Sequence, residues 1–289
     1  MKFNIKKIIV TTLFVILVLS VSVVSFSATT YYYDENFKFF KNDLNGVTVS
    51  DYIVDDTVIN IPDTLLDYTV TAIGASAFTD DSDLITITFP DTVVSIGAFA
   101  FSGCSSLNDI TFSSDSLYEI VMGAFQNCDS FVNVDLSNTT ITKVSDQLFA
   151  MCDNLESVTL PDTVEKIGSF SFYDCPKLTK VVIPASVTSI KSNAFNGSSN
   201  VTIYCYENSY AHTYAVDKNI PFELISEPTY DLGDVDLSGV IDIKDSTSIQ
   251  KHLAEIEMLD DTQLSVADFN QDGGINIIDA TAIQKYLVS

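Results

Sequence analysis

The sequence predicts a mainly β repeat solenoid of short parallel strands, followed by a small all-α module. Three observations predict it. Phenylalanines recur at Phe78, Phe101, Phe125, Phe149, Phe172 and Phe195, in steps of 23, 24, 24, 23 and 23 residues. A second repeat, offset by 34 residues, begins at Asp234 and again at Asp268. The 289 residues are 46% hydrophobic, enough for one sizeable core and a smaller second one.

The N-terminus reads as a secretory leader over residues 1–27. Lys2, Lys6 and Lys7 precede an apolar run from Ile8 to Phe26, and small residues Ser25 and Ser27 place cleavage near Ala28. An uncleaved anchor is the rival reading, because the run approaches a bilayer-spanning length. After cleavage no membrane segment is expected, and the chain is expected outside the cell. Residues 28–225 then form the solenoid with its caps. Gly46 to Ile61 alternates (Val47, Val49, Ile53, Val58, Ile59, Ile61) and reads as the strands of an N-terminal cap.

The repeat itself carries apolar residues at fixed distances from each Phe. Six residues on stand Leu84, Leu107, Phe131, Leu155, Leu178 and the smaller Val201. Nine on stand Ile87, Ile110, Val134, Val158 and Val181, and eleven on stand Phe89, Phe112, Leu136, Leu160 and Ile183. Five before stand Ile73, Ile96, Ile120, Val144, Ile167 and Ile190. A unit of this length cannot bury its own apolar face, but stacked copies can, each position lying over its equivalent. The alternating stretch ending at Leu160 predicts a strand that pairs in parallel with its neighbours. The segment from Ile167 to Phe172 predicts a helical turn or irregular coil that brings the chain back. Pro90, Pro161 and Pro184 end the strands.

Five cysteines is an odd number for an exported chain. Cys104, Cys128, Cys152 and Cys175 each lie three residues after a repeat Phe, which predicts a buried ladder of small side chains. Their sulfurs would lie about one strand spacing apart, roughly 5 Å, too far for a disulfide without backbone movement. The copies Ile96-Gly97-Ala98-Phe99-Ala100-Phe101-Ser102-Gly103-Cys104 and Ile167-Gly168-Ser169-Phe170-Ser171-Phe172-Tyr173-Asp174-Cys175 resemble the BspA-type leucine-rich repeat. The resemblance covers roughly residues 45–225. It implies the solenoid fold and leaves function among adhesion, partner binding and other surface roles.

Ser209 to Val216 predicts a short capping helix, with His212 on its surface, and Ile220 to Ile225 a closing strand. Thr86, Thr88, Asp109, Thr111, Asn133, Asp135, Ser157, Thr159, Lys180 and Val182 are expected to face outward from the sheet. That face lacks the Trp and Arg anchors that dominate protein hot spots. The formal charge is −25 and all 14 basic residues are lysine, so a phosphate backbone would be repelled and nucleic acid is excluded as a partner. The two histidines, His212 and His252, fall in different modules, and no nucleophile elbow, metalloprotease helix or phosphate loop occurs. No catalytic activity is expected.

Residues 226–230 (Ser-Glu-Pro-Thr-Tyr) read as a short polar linker to a module over 231–289. There Asp234, Asp236, Ser238, Gly239, Val240, Asp242 and Asp245 align with Asp268, Asn270, Asp272, Gly273, Gly274, Asn276 and Asp279. Calcium takes about 6–8 oxygen ligands from such twelve-residue loops, at positions 1, 3, 5, the carbonyl of 7, 9 and 12. The candidate ligands are therefore Asp234, Asp236, Ser238, the Val240 carbonyl, Asp242 and Asp245 for one ion. Asp268, Asn270, Asp272, the Gly274 carbonyl, Asn276 and Asp279 would hold a second. Gly239 and Gly273 allow the sharp turn at position 6. Ser238 stands where the second loop has Asp272, so the first site is expected to bind more weakly. Each loop leads into a helical segment, Ile249-Gln250-Lys251-His252-Leu253 and Ile283-Gln284-Lys285-Tyr286-Leu287. These residues resemble the type I dockerin. The resemblance implies attachment to a cohesin domain on the scaffold of an extracellular polysaccharide-degrading complex. It also implies cohesin contacts at Ile243, Lys244, Gln250 and Lys251, and at Ile277, Ile278, Gln284 and Lys285. Near-duplication implies docking in either of two orientations. The expected protein is a secreted, non-catalytic component displaying a recognition or spacer module. A cell-surface adhesin that binds protein or glycan through the solenoid, or a cryptic glycoside hydrolase accessory, remains open at this point.

Overall fold

The computed structural model describes residues 29–112, 116–226 and 231–288. The expected leader and all of the linker but Ser226 lie outside the described residues. Two compact units divide between Ile225 and Ser226.

The first unit opens with antiparallel strands β1 (Tyr31–Tyr33) and β2 (Phe37–Lys41), which lead into β3 (Val47–Tyr52). The sequence reading had no strands before Gly46. Here Phe37 and Phe39 are buried and the intervening Lys38 points away from the core. Strands β4 (Val58–Asn60), β5 (Thr64–Leu65) and β6 (Tyr68–Ile73) complete the cap. Each coil then contributes one longer and one two-residue strand: β7 (Thr86–Phe89) and β8 (Ser95–Ile96), β9 (Asp109–Phe112) and β10 (Glu119–Ile120), β11 (Asn133–Asp135) and β12 (Lys143–Val144). They continue as β13 (Ser157–Thr159) and β14 (Lys166–Ile167), β15 (Lys180–Val182) and β16 (Ser189–Ile190), and end in β17 (Thr202–Tyr206).

The longer strands form parallel ladders β4-β7-β9 and β11-β13-β15-β17. Apolar residues sit in register along them: Ile59, Ile87 and Ile110, then Val134, Val158, Val181 and Ile203. The return segment of each coil, Ile167 to Phe172 in one copy, was expected to be a helical turn or irregular coil. The isoleucines before each Phe instead pair as short parallel strands, with Ile73, Ile96 and Ile120 in one register and Val144, Ile167 and Ile190 in another. Two residues suffice for a strand here because an adjacent coil supplies hydrogen bonds in register.

Between the ladders the repeat phenylalanines stack face to face. Their centroids are 5.0, 5.6, 5.9, 5.9 and 5.1 Å apart from Phe78 to Phe195. The interplanar angles stay within 17°, so the rings repeat with the coil and bury a continuous column. The four repeat cysteines and Cys205 are free and buried. The Sγ atoms of Cys104, Cys128, Cys152 and Cys175 each donate to the carbonyl of the preceding coil's Phe, at 3.0 to 3.2 Å. Ser198 takes over at the last coil and donates to the Phe172 carbonyl at 2.6 Å. Burial is the main cause that pushes the thiols up, Cys104 to about 12 and Cys175 to about 11.

Helix α1 (Tyr210–Lys218) closes the column, with Ser209 as N-cap and Asn219 in the left-handed region as C-cap. Its Tyr214 ring covers Phe195 at 6.2 Å. His212, expected on the surface, is half-buried, because its ring packs 4.8 Å from Phe222 and Nδ1 accepts the Asn208 N–H. Strand β18 (Phe222–Ile225) pairs in parallel with β17.

The second unit contains α2 (Ile243–Leu253), α3 (Asp261–Ala267) and α4 (Ile277–Tyr286). Its buried apolar residues are Val235, Ile249, Leu259, Val266, Ala267, Ala280 and Ile283. Helices α2 and α4 both start with reciprocal caps, Asp242 with Asp245 and Asn276 with Asp279.

Candidate metal loops and docking faces

In the first loop the Asp245 carboxylate is fully buried and accepts two backbone N–H groups, Asp236 at 2.8 Å and Asp242 at 2.6 Å. Asp234, also buried, accepts from Ser238 at 3.0 Å and Gly239 at 2.9 Å. The second loop repeats these bonds 34 residues on. Asp279 accepts from Asn270 at 3.1 Å and Asn276 at 2.9 Å, and Asp268 from Asp272 at 3.1 Å and Gly273 at 2.9 Å. The two copies therefore share a folded loop as well as a residue pattern. Gly239 and Gly273 adopt φ of 83° and 91°, the left-handed region that the tight turn requires.

Ligand atoms of Asp234, Asp236 and Asp245 lie within 4.8 Å of one another. No lysine bridges any of these three among the described ion pairs; Lys244 instead lies 3.8 Å from Asp242, outside that trio. Burial raises the Asp245 carboxyl above its usual range, the N–H groups of Asp236 and Asp242 hold it down, and the Asp236 charge raises it again. Three close carboxylates without a cationic side chain form a hard oxygen site that fits a divalent cation such as calcium. The second loop offers carboxylates at Asp268, Asp272 and Asp279 and amide oxygens at Asn270 and Asn276. The Asn270 amide donates to Asp272 at 3.0 Å, and the Asn276 amide to the Gly274 carbonyl at 2.9 Å. In the first loop the Ser238 hydroxyl donates to the Val240 carbonyl at 3.2 Å.

Ile243, Lys244, Gln250, Lys251, Ile277, Ile278, Gln284 and Lys285 are all exposed. They form two sets, one per copy, at the start and on the outer side of α2 and of α4. The sets differ. Lys251 pairs with Glu257 at 2.9 Å, and Gln284 donates to the Ser246 hydroxyl at 2.8 Å, which ties α4 to α2. His252 accepts the Leu259 N–H through Nδ1 at 3.2 Å, whereas its equivalent Tyr286 packs edge-on against Phe269 at 5.7 Å. Helix α3 was missed in the sequence. Its Gln263 donates to the Val235 carbonyl at 3.1 Å and steadies the first loop from behind. The signal was present as Asp260 followed three residues later by Gln263, a capping box.

On the solenoid, Thr86, Thr88, Asn133, Asp135, Ser157, Thr159, Lys180 and Val182 are half-buried or exposed, as an outward sheet face requires. The side chains of Asp109 and Thr111 lie outside the described residues. The face is knitted internally by Thr88 to Asn60 at 2.5 Å and Ser157 to Asn133 at 2.6 Å. No helix among the described residues is long and apolar enough to cross a membrane.

Residues 71–202 match the BspA type leucine rich repeat region in six copies, and residues 232–288 match the dockerin type I domain. No curated protein matches the chain. Among solved structures, the chain is similar to a leucine rich cell surface protein from Faecalibacterium prausnitzii, with 30% identity over 61% of this chain and 54% of that one and a TM-score of 0.49. It thus spans about half the length of that protein. It is also similar to a leucine rich repeat protein from T. pallidum, with 22% identity, 67% and 98% of the two chains covered and a TM-score of 0.56, which shows a shared fold. Both matched modules are non-catalytic types, and type I dockerins bind calcium and dock to cohesins. The chain joins six BspA-type leucine-rich repeats to a type I dockerin domain.

Proposed function

We propose that this is a secreted, non-catalytic component that docks through its calcium-loaded C-terminal unit to a cohesin on an extracellular polysaccharide-degrading complex, where it displays the solenoid as a recognition or spacer module. One observation carries the reading: both acidic loops fold with the same bonds at the same offsets, and each presents an exposed apolar residue at the start of its helix. Two calcium ions would bind, one through Asp234, Asp236, Ser238, the Val240 carbonyl, Asp242 and Asp245. The other would bind through Asp268, Asn270, Asp272, the Gly274 carbonyl, Asn276 and Asp279. With the loops held, Ile243 and Lys244 at one helix start and Ile277 and Ile278 at the other meet the cohesin, supported by Gln250, Lys251, Gln284 and Lys285. The two faces are chemically unequal, because one offers Ile-Lys and the other Ile-Ile.

Calorimetry of the full chain against a panel of cohesins, with calcium and with chelator, tests the reading. A calcium-dependent complex with at least one cohesin is expected. Calcium uptake without any cohesin partner would refute docking while leaving the metal sites in place. Cell or glycan binding that survives deletion of residues 231–289 would favour a free adhesin.

A further inference from the structure

The two-residue strands that line the solenoid stop pairing at one step. Strand β10 pairs with β8, and β12 with β14, but β10 and β12 fall in separate sheets. At the other steps the N–H leaving each short strand bonds the previous coil: Gly97 to Ile73 at 2.9 Å, Val121 to Ile96 at 2.9 Å, Gly168 to Val144 at 2.8 Å and Lys191 to Ile167 at 3.0 Å. The equivalent donor at the open step is the Ser145 N–H, and it makes no such bond. The Ser145 hydroxyl reaches the Ile120 carbonyl instead, at 2.6 Å, so a side chain spans what backbone closes elsewhere.

The sequence explains the gap. The residue after each short strand is Gly74, Gly97, Val121, Ser145, Gly168 and Lys191 in successive coils. Every closed step has a glycine on at least one side, and the step from Val121 to Ser145 has none. Glycine eases the close approach of one coil to the next. A Cβ on Gly97 would lie 2.5 Å from the Ala75 nitrogen, and one on Gly168 would lie 2.8 Å from the Asp146 nitrogen. The phenylalanine column still runs unbroken past the gap, from Phe101 through Phe125 to Phe149. The interruption is local, because the same two coils are joined on either side of it by Thr140 N–H to the Leu117 carbonyl at 2.9 Å and Gly123 N–H to the Asp146 carbonyl at 3.0 Å.

Beside the interrupted ladder lies a cleft of about 520 Å³ lined by Tyr118, Glu119, Met122, Thr142, Lys143 and Asp146. Tyr118 is 49% exposed and Met122 39%, an apolar surface open to water. Lys143 lies 3.8 Å from Asp146, so the cleft offers a nearly neutral pair rather than a free cation. A ligand with net negative charge would meet a strongly acidic protein. An uncharged polyol matches all of this. Its C–H face can lie on the Tyr118 ring, and its hydroxyls can donate to Glu119 and Asp146 and accept from Lys143. The volume suits one or two sugar rings. We infer that this cleft is a binding site for a neutral sugar unit, with Tyr118 as the stacking platform. The inference depends on neither calcium nor docking.

The test is chemical-shift mapping of the full calcium-loaded chain with cellobiose, xylobiose, mannobiose and maltose, and with glycylglycine as a zwitterionic peptide probe. At least one sugar should shift the resonances of residues 118–122 and 142–146. Tyr118→Ala, a change at a half-exposed ring, should weaken that sugar about tenfold. Ser145→Gly should let the ladder close and remove binding with the fold intact. The inference is overturned if no sugar in the panel moves these resonances, if Tyr118→Ala binds as well as the parent chain, or if glycylglycine shifts them as strongly as the sugars.

Discussion

In the solenoid, the buried side chains are almost all hydrocarbon, ring and thiol, repeated coil after coil from Phe37 to Ala215. In the C-terminal unit, seven small or medium apolar residues share the interior with the carboxylates of Asp234, Asp245 and Asp279. The first arrangement gains stability by removing apolar surface from water, and each coil completes its neighbours. The second cannot rest on burial alone. Its core is too small for a unit of that length, and buried carboxylates cost free energy unless a partner compensates them. On the proposed reading a cation in each loop would supply what the apolar core lacks, so that metal binding and folding would be coupled in this unit and not in the solenoid.

The largest effect that could break this contrast is removal of the loop carboxylates. Asp245→Ala together with Asp279→Ala deletes two acceptors that each hold two backbone N–H groups, along with position 12 of both loops. Circular dichroism and hydrogen exchange should show residues 231–288 unfolded while the solenoid keeps its protection. A double variant that remains folded would sink the metal assignment. Next in size is Phe125→Ala, which opens a hole in the middle of the column and should cost about 3–5 kcal/mol of solenoid stability. Its denaturation midpoint should fall while calcium uptake by the C-terminal unit stays unchanged.

Alkaline pH should separate the units more gently. The buried thiols have raised pKa values in the folded chain, Cys104 to about 12, so the folded state keeps protons that the unfolded state has lost. Their contribution is fully present below about pH 9 and is lost as pH rises toward about 12. Solenoid stability should therefore decline over that window, and native cysteines should resist alkylation at pH 8. Rapid labelling at that pH would show the thiols to be accessible. The smallest expected change is Cys152→Ser. Ser198 already makes the equivalent bond to the Phe172 carbonyl, so the substitution should cost no more than about 1 kcal/mol in thermal unfolding. A much larger loss would mean that sulfur packing, rather than the bond, holds the coil.

Much of this was legible because repetition averages out local ambiguity. The phenylalanine spacing located every coil, and the aligned glycines and acids located both loops. What escaped depended on neighbours rather than on local pattern. The short strands at Ile96 and Ile167 have no strand signature of their own and exist because adjacent coils offer bonds. Tyr31–Tyr33 pairs only because Phe37–Lys41 folds back on it. Helix α3 was readable from Asp260 and Gln263 but falls between the two stronger repeats. The open step at Val121 and Ser145 coincides with a pair of coils that lacks glycine at this position, which is visible only once neighbouring coils are compared.

The central claim is that calcium builds the C-terminal unit and leaves the solenoid indifferent. The most direct measurement is an amide-resonance titration of the full chain, first with chelator and then with calcium. The account predicts that signals of residues 231–288 collapse without calcium and return with two equivalents, while those of the solenoid do not move. Dispersed, unchanged signals from Asp234, Asp245, Asp268 and Asp279 in excess chelator would contradict it.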